Sequence, residues 1–286
     1  MQQYNICGLT VRVSGKGLNH ISGFPVFSSV HTKKDAVTID LGEVLSDWNL
    51  KSSNSFLLDE IPCEFGYANG CYLYKMIMAD GNHLLMKILL KEDEMYVSTN
   101  MDEHTFSLWL GFAIWLALGI FSVSKQIVAI HASTIMYQGK SILFLGESGT
   151  GKSTHTSLWL KHIPDTELLN DDSPFVYASE NKAIVYGSPW SGKTHCYKNI
   201  HTPIAGIVRL SQAPHNKIKR LSKLSAIGAL LPSCPPAFAG EEILSDRICE
   251  ILSSLIQQVP VYSLECLPDE NAAQLVFSTL KNDGHI

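Results

Sequence analysis

The sequence predicts an α+β protein, with a β-rich N-terminal part and a mixed C-terminal part. In the N-terminal part, short apolar runs alternate with turn signals, and the runs on either side of Asp80–Asn82 form a hairpin pattern because Asp-Gly readily adopts positive φ. Further along, an apolar run enters a glycine-rich loop that a helical pattern follows. Two helical patterns separated by a strand pattern end the chain.

The N-terminal strands are predicted to form an antiparallel, β-rich domain. The runs NICGLTVRV and DAVTIDLGEV are each typical of one strand, and Gly70 to Asn100 has the pattern of a meander. We expect the domain boundary near Asp102 to Phe106. This divides the chain into a β-rich domain of residues 1–103 and a second domain of residues 104–286.

A long apolar stretch follows that boundary. Phe106 to Val123 is eighteen residues without a charged side chain, which just reaches the length of a membrane span. The alternative is a helix that is buried on all sides. Basic clusters do not flank the stretch, so the pattern favours the buried helix, and we expect no membrane partner.

The second domain is predicted from strand, loop and helix patterns in turn. QIVAIHASTIMY and SILFLG form a hairpin-like pair, and a helix from Lys152 to about His162 should end before Pro164. A strand then leads to Asp171 and Asp172. The remaining predicted elements are a hairpin (PFVYA and AIVYG), a strand (PIAGIVRL), a helix (EEILSDRICEILSSLIQQ), a strand (VPVYSLEC) and a helix (ENAAQLVFSTLKN).

Composition excludes several classes of function. The 286 residues are 45% hydrophobic, enough for a full-sized core, and the formal charge of -5 with only 22 Lys and Arg argues against a nucleic-acid partner. The seven cysteines include no C-x-x-C pair, which favours a reduced compartment. The first residues lack a basic and apolar signal pattern, so we expect a cytoplasmic protein. The sequence leaves open whether it forms homo-oligomers.

The glycine-rich loop is the strongest functional signal. Gly146, Gly151, Lys152 and Ser153 match G-x-x-x-x-G-K-[ST] between a predicted strand and a predicted helix. Backbone N–H groups of such a loop surround phosphate oxygens, the lysine reaches the β and γ oxygens, and the hydroxyl can bind Mg²⁺. The predicted nucleotide-binding residues are Gly146, Glu147, Ser148, Gly149, Thr150, Gly151, Lys152, Ser153 and Thr154.

Two adjacent acids follow at a strand end. Asp171 lies nineteen residues after Lys152, which leaves room for a helix and a return strand. Neighbouring side chains on a strand point to opposite sides, so one carboxylate can face a metal and the other the acceptor. A pair of acids before Ser-Pro is often only a turn, and His131, among apolar neighbours, is by itself typical of a core residue. Their combination with the loop favours function.

Together, His131, GESGTGKS and Asp171-Asp172 resemble the HPr kinase/phosphorylase and phosphoenolpyruvate carboxykinase-like superfamily. The quoted match spans 42 of 286 positions. The resemblance implies a mostly antiparallel P-loop core that uses ATP and Mg²⁺. It implies that Asp171 is the catalytic base with His131 as its partner, that Lys152 acts on the phosphates, and that Ser153 and Asp172 hold the metal; the two aspartates could exchange roles.

The stretch after the aspartates departs from that family. GSPWSGKTHCYKN replaces the glycine and arginine signature of HPr kinases, and is similar to divergent HPr-kinase-like proteins, some of which phosphorylate serine on precursor peptides in bacterial biosynthetic clusters. Trp190 to Lys193 could form a flexible turn that brings Lys193 to the phosphates, or an ordinary turn with a solvated lysine. His195 is a weaker candidate of the same kind. Arg209 is either a second phosphate cation or a surface ion-pair partner.

These features predict a kinase that transfers phosphate from Mg-ATP to a serine-like hydroxyl on a peptide, a protein or a small molecule. The alternatives are an ATP-binding sensor or assembly module without transfer, and a carboxykinase-like enzyme. Only four arginines are present, whereas a carboxylate-phosphate substrate favours several guanidinium clamps. The resemblance also allows the reverse reaction, in which phosphoserine is cleared by phosphate.

Overall fold

The computed structural model describes residues 1–15, 17–30, 36–48, 54–58, 60–102 and 107–286. The chain divides into two compact units. The first comprises residues 1–125 and 236–246, and the second comprises residues 126–235 and 247–286. The mixture of large sheets and helices confirms the predicted α+β class.

The first unit is built on a sheet whose eight described strands have the order β1-β2-β3-β8-β7-β6-β5-β4. The predicted meander is confirmed, because β6, β7 and β8 pair antiparallel. Among the described strands, β2–β3 and β3–β8 pair parallel, which differs from the predicted antiparallel arrangement. The strands are β1 (Gln2–Ile6), β2 (Leu9–Val13), β3 (Ala36–Asp40), β4 (Asn54–Leu58), β5 (Ile61–Ala68), β6 (Cys71–Ile77), β7 (His83–Leu90) and β8 (Glu94–Thr99).

The run NICGLTVRV is a hairpin and not the single predicted strand. The chain turns between β1 and β2 at Cys7 and Gly8, which have φ of 46° and 83°. Glycine adopts this left-handed region without steric cost, whereas cysteine rarely does. The single strand was predicted because the run has Gly8 but lacks the Asn-Gly or Asp-Gly pair that is typical of such turns.

Helix α1 (Ser107–Ser124) is buried over almost all of its described surface, which confirms the predicted buried helix. The ring of Phe112 lies 6.2 Å from that of Tyr74 on β6, and Gly119 faces the ring of Phe238. These contacts group α1 with the first unit, whereas the predicted boundary placed it in the second domain; residues 103–106 of that boundary lie outside the described residues. Among the described helices, none combines the length and hydropathy that a membrane span requires.

The second unit contains nine described strands in a mostly antiparallel arrangement. Their order is β12-β10-β11-β15-β14-β13-β9, with β17 beside β15 and β16 beside β17. Of the described pairings, β11–β15 and β15–β17 are parallel. The strands are β9 (Ile127–Ala129), β10 (Ala132–Tyr137), β11 (Lys140–Leu145), β12 (Thr166–Asp172), β13 (Phe175–Ser179), β14 (Lys182–Tyr186), β15 (His201–Gln212), β16 (Lys217–Arg220) and β17 (Val261–Cys266).

The helices that follow α1 confirm the predicted helical patterns and add one. The remaining described helices are α2 (Lys152–His162), α3 (Lys223–Leu230), α4 (Glu242–Gln258) and α5 (Glu270–Asn282). Short 3-10 turns occupy residues 231–233 and 236–238, between α3 and α4. Helix α3 was not predicted, although Ser222 caps its N-terminus by accepting a hydrogen bond from the Ser225 N–H.

Helix α2 is anchored by a buried aromatic cluster. Trp159 is fully buried, with its ring 5.8 Å from Phe144 on β11 and 6.0 Å from Phe277 on α5. Burying a large apolar side chain contributes about 1.5–3 kcal/mol relative to leaving it exposed. The glycine loop between β11 and α2 is therefore held at both ends by packed elements.

Acid is expected to destabilise this cluster through His155. The imidazole is buried beside Phe144 and accepts a hydrogen bond from the Trp159 indole N–H at 3.2 Å, and burial lowers its pKa to about 4. The unfolded chain binds this proton near pH 6.5, so the free energy of unfolding falls as the pH drops from about 6.5 to about 4. We expect a loss of about 3 kcal/mol from this residue. Denaturant titrations at pH 7 and pH 4 measure it.

The control for this prediction is His155→Gln, which retains a hydrogen-bond acceptor but does not titrate in this range. The difference in unfolding free energy between pH 7 and pH 4 should be about 3 kcal/mol smaller in the variant. An equal difference in the two proteins would contradict the prediction.

Candidate functional site

The glycine loop joins the buried end of β11 at Leu145 to the start of α2 at Lys152. Gly149 and Gly151 have φ of 80° and 104°, a region that residues with a Cβ rarely adopt. Gly151 is the N-cap and supplies no capping side chain, so the first N–H groups of α2 are not satisfied by a cap. A loop and helix start of this kind can bind an anion through backbone N–H groups.

Lys152 lies over the loop. Its Nζ donates to the carbonyl oxygens of Gly146 at 2.8 Å and Glu147 at 3.2 Å. Burial lowers the pKa of the ammonium most; Asp172 and Asp171 oppose that change, and Arg209 adds to it. The charges of both aspartates therefore act on the lysine.

Asp171 faces the start of α2. Its strand β12 pairs with β10, and Asp171 is opposite Ser133. The carboxylate is 4% exposed, and it accepts hydrogen bonds from Ser153 Oγ at 3.0 Å and from the Thr194 N–H at 3.2 Å. Two oxygen ligands suitable for a hard cation, one hydroxyl and one carboxylate, therefore lie in contact at the end of the glycine loop.

Asp172 faces the other way and pairs with His131. Asp172 Oδ1 lies 3.6 Å from His131 Nε2, and the two side chains are 45% and 44% exposed. Desolvation raises the pKa of the Asp172 carboxyl, the Asp171 charge adds to this, and His131 and Lys152 oppose it. Desolvation and Lys152 lower the pKa of His131, against the two aspartates. The carboxyl is thus more basic than usual, which suits a proton acceptor.

His131 lies between two strands. The predicted run QIVAIHASTIMY is interrupted at Ile130 and His131, which separate β9 from β10. The His131 N–H donates to the Ser233 carbonyl at 2.7 Å, and its side chain is exposed. His131 is therefore not a core residue in the described structure.

Of the two assignments that the sequence left open for the aspartates, the contacts fit the exchanged one. Ser153 was expected beside Asp172, and His131 beside Asp171. Alternation along β12 does place the two carboxylates on opposite sides, as predicted. The register of β12 on β10 decides which side each one faces, and the local sequence does not encode that register.

Sequence reasoning missed three residues next to this pair, namely Asn170, Ser188 and Thr194. Asn170 and Ser188 are fully buried and hydrogen-bonded to each other, and the Thr194 N–H reaches Asp171. Asn170 directly precedes the two aspartates, but a buried amide has no distinctive sequence signal. Ser188 and Thr194 lie 16 or more residues further along the chain, so only the fold shows their proximity.

The segment from Trp190 to His195 contacts Asp171 and Asp172, and its exposed Lys193 fits the second predicted alternative, an ordinary turn with a solvated lysine. The Gly192 N–H donates to the Asp171 carbonyl, and Trp190 packs with its ring 6.0 Å from Phe175. Lys193 is exposed between these anchors. His195 is also exposed, and contacts the Tyr197 hydroxyl at 3.1 Å.

A cleft of about 400 Å³ lies between the glycine loop and the end of β15. Its lining residues are Glu147, Ser148, Gly149, Thr150, Arg209, Leu210, Ser211 and Gln212. Arg209 Nη1 donates to the Ala229 carbonyl at 2.9 Å, so this cation is held in place beside the cleft. The predicted residues 147–150 line the cleft, whereas Thr154 is exposed on the first turn of α2.

No family model matches the chain, and no curated protein matches it. Among solved structures, it is similar to the HPr(Ser) kinase/phosphatase from Coxiella burnetii, at 13% identity and a TM-score of 0.31. That match covers 54% of this chain and 95% of the other chain. The likeness is distant and concerns the fold only, so we assign no activity from it.

Proposed function

We propose that the protein is a Mg-ATP-dependent kinase that transfers the γ-phosphoryl group to a serine-like hydroxyl of a peptide, a protein or a small molecule. The proposal depends mainly on one observation, that the two carboxylates at the end of β12 contact different partners. Asp171 contacts Ser153 at the glycine loop, while Asp172 pairs with His131 on the more exposed side. A phosphoryl transferase needs both functions, a metal-binding carboxylate and a proton acceptor.

The loop from Gly146 to Gly151 would hold the triphosphate with its N–H groups, and Lys152 would contact its terminal oxygens. The residues that fit Mg²⁺ are Ser153 and Asp171, which present two oxygens in mutual contact. When bound, Mg²⁺ supplies charge neutralisation at the phosphate oxygens. Among the described residues, no group of three or more His, Cys, Asp or Glu is placed to hold a metal ion. Mg²⁺ commonly keeps waters and substrate phosphates as its other ligands.

Asp172 is the proposed base. The acceptor oxygen forms a bond to the γ-phosphorus, the bond from that phosphorus to the ADP oxygen breaks, and the acceptor proton passes to Asp172. His131 beside this carboxylate stabilises its charged form and can relay the proton to solvent. Asp171 is less suited to this step, because it is buried and already accepts hydrogen bonds from Ser153 and Thr194.

The kinase proposal is tested by incubating the protein with Mg-ATP and the peptides or proteins that are encoded beside its gene. We expect one of them to gain a single phosphoryl group on a serine, detected by mass spectrometry. Replacing that serine with alanine should abolish the gain. ATP binding by calorimetry, without transfer or hydrolysis, would instead support a sensor or assembly module. Formation of phosphoenolpyruvate from oxaloacetate and ATP would support a carboxykinase-like enzyme.

A further inference from the structure

Asn170 lies at the centre of a buried hydrogen-bond network beside the aspartates. Its Nδ2 donates to the Trp190 carbonyl at 2.9 Å and to Ser188 Oγ at 3.3 Å, and its Oδ1 accepts from the Ser173 N–H at 2.9 Å. The side chain is fully buried, and both its donor and acceptor groups are used. A buried amide with this many partners fixes the relative positions of the backbone segments that it joins.

Ser188 closes the same network from the other side. Its hydroxyl donates to the Ser173 carbonyl at 2.6 Å and accepts from the Trp190 N–H at 3.3 Å. The end of β12, which contains both aspartates, and Ser173 after it are thereby joined to residues 188–190 by two buried side chains.

The residues that follow this junction contact the aspartates directly. The Gly192 N–H donates to the Asp171 carbonyl, the Thr194 N–H donates to Asp171 Oδ2 at 3.2 Å, and Ser191 forms a β-bridge with Asp172. A Cβ on residue 192 would lie only 2.8 Å from the Asp171 carbonyl oxygen, so the two backbones approach more closely than a side chain allows. Displacement of residues 188–190 would therefore move groups that hold Asp171.

We propose that Asn170 and Ser188 are positioning residues, which hold the carboxylates of Asp171 and Asp172 in the orientation that phosphoryl transfer requires. The expected effect of this positioning on the rate of phosphoryl transfer rests on the proposed kinase function. Neither residue contacts the glycine loop in the described hydrogen-bond network, so both act through the aspartates and not through nucleotide binding. A displacement of about 1 Å at a reacting group can lower the rate about 100-fold.

The kinetic test compares Asn170→Ala and Ser188→Ala with the wild-type protein. We expect kcat to fall about 10- to 100-fold in each, with KM for Mg-ATP changed by less than about twofold. The double variant should be only slightly slower than either single variant, because both changes open one network. The matched control is Ser141→Ala, which removes another buried hydrogen bond of the same sheet, to Thr202 at 2.6 Å. It should leave kcat unchanged.

A second measurement does not depend on activity. Amide hydrogen exchange at Gly192 and Thr194 should become at least about tenfold faster in Asn170→Ala than in wild type, and should be unchanged in Ser141→Ala. If Asn170→Ala does not fold, the same exchange measurement is made on Ser188→Ala. Unchanged kcat and unchanged exchange in folded variants would overturn the proposal. If exchange is faster in Asn170→Ala but the wild-type protein transfers no phosphate, the structural positioning role is supported and the kinase proposal is contradicted.

Discussion

Asp172→Asn is expected to lower kcat for phosphoryl transfer about 100- to 10,000-fold, while the Kd for Mg-ATP stays within about twofold. The asparagine amide has nearly the same volume as the carboxyl group but cannot take the proton from the hydroxyl that attacks the γ-phosphorus. The Asp172 carboxyl pairs with His131 and not with Ser153, so its loss leaves the metal-facing oxygens in place. Single-turnover transfer and calorimetric titration with Mg-ATP measure the two quantities separately.

Two comparison variants make this prediction specific. Asp165→Asn changes an exposed acid in the turn before β12, whose φ of 60° suits asparagine, so it should leave transfer unaffected. Asp171→Asn should instead raise the Mg²⁺ concentration required for half-maximal rate. If Asp172→Asn chiefly raised the Mg²⁺ requirement while Asp171→Asn chiefly lowered kcat, the two assignments would have to be exchanged.

Local patterns predicted the elements that depend on short-range chemistry. Helix α2 begins at Lys152 and ends before Pro164, and α5 begins after Asp269, whose side chain accepts from the Ala272 N–H as an N-cap. In contrast, strand β16 was not predicted, because its four mostly exposed residues are too few to show the alternation of apolar and polar side chains that is typical of a strand. The parallel pairing of β2 with β3 depends on contacts that are distant along the chain, which a local pattern does not contain.

In the candidate site too, features that depend on neighbouring residues were predictable, whereas features that depend on distant contacts were not. The glycine loop and the start of α2 at Lys152 were predictable because the residues that determine them lie within eight consecutive positions, 146–153. Alternation along β12 predicted that Asp171 and Asp172 diverge, but not which of them faces Ser153. That choice depends on how β12 registers with β10 and on the Asn170–Ser188 network, which joins residues eighteen positions apart.

Lys152→Ala is expected to lower kcat/KM for Mg-ATP about 100- to 1,000-fold and to raise the Kd for Mg-ATP at least about tenfold. The ammonium lies on the glycine loop, 2.8 Å from the Gly146 carbonyl, and the charges of both aspartates act on it. Its removal leaves the negative charges of both aspartates without this opposing charge beside the proposed phosphate site, so both binding and transfer suffer. Arg209 is held by the Ala229 carbonyl on the cleft side and is poorly placed to compensate.

The matched control for this change is Lys161→Ala on the exposed part of the same helix, which should alter neither constant. Because Asp172→Asn should impair transfer alone, the two variants separate charge neutralisation from proton removal. A Lys152→Ala protein that binds Mg-ATP normally and transfers phosphate at the wild-type rate would show that the glycine loop does not hold the donor. The proposed roles of Ser153, Asp171 and Asp172 in phosphoryl transfer would then also be contradicted, because they require the triphosphate to lie at this loop.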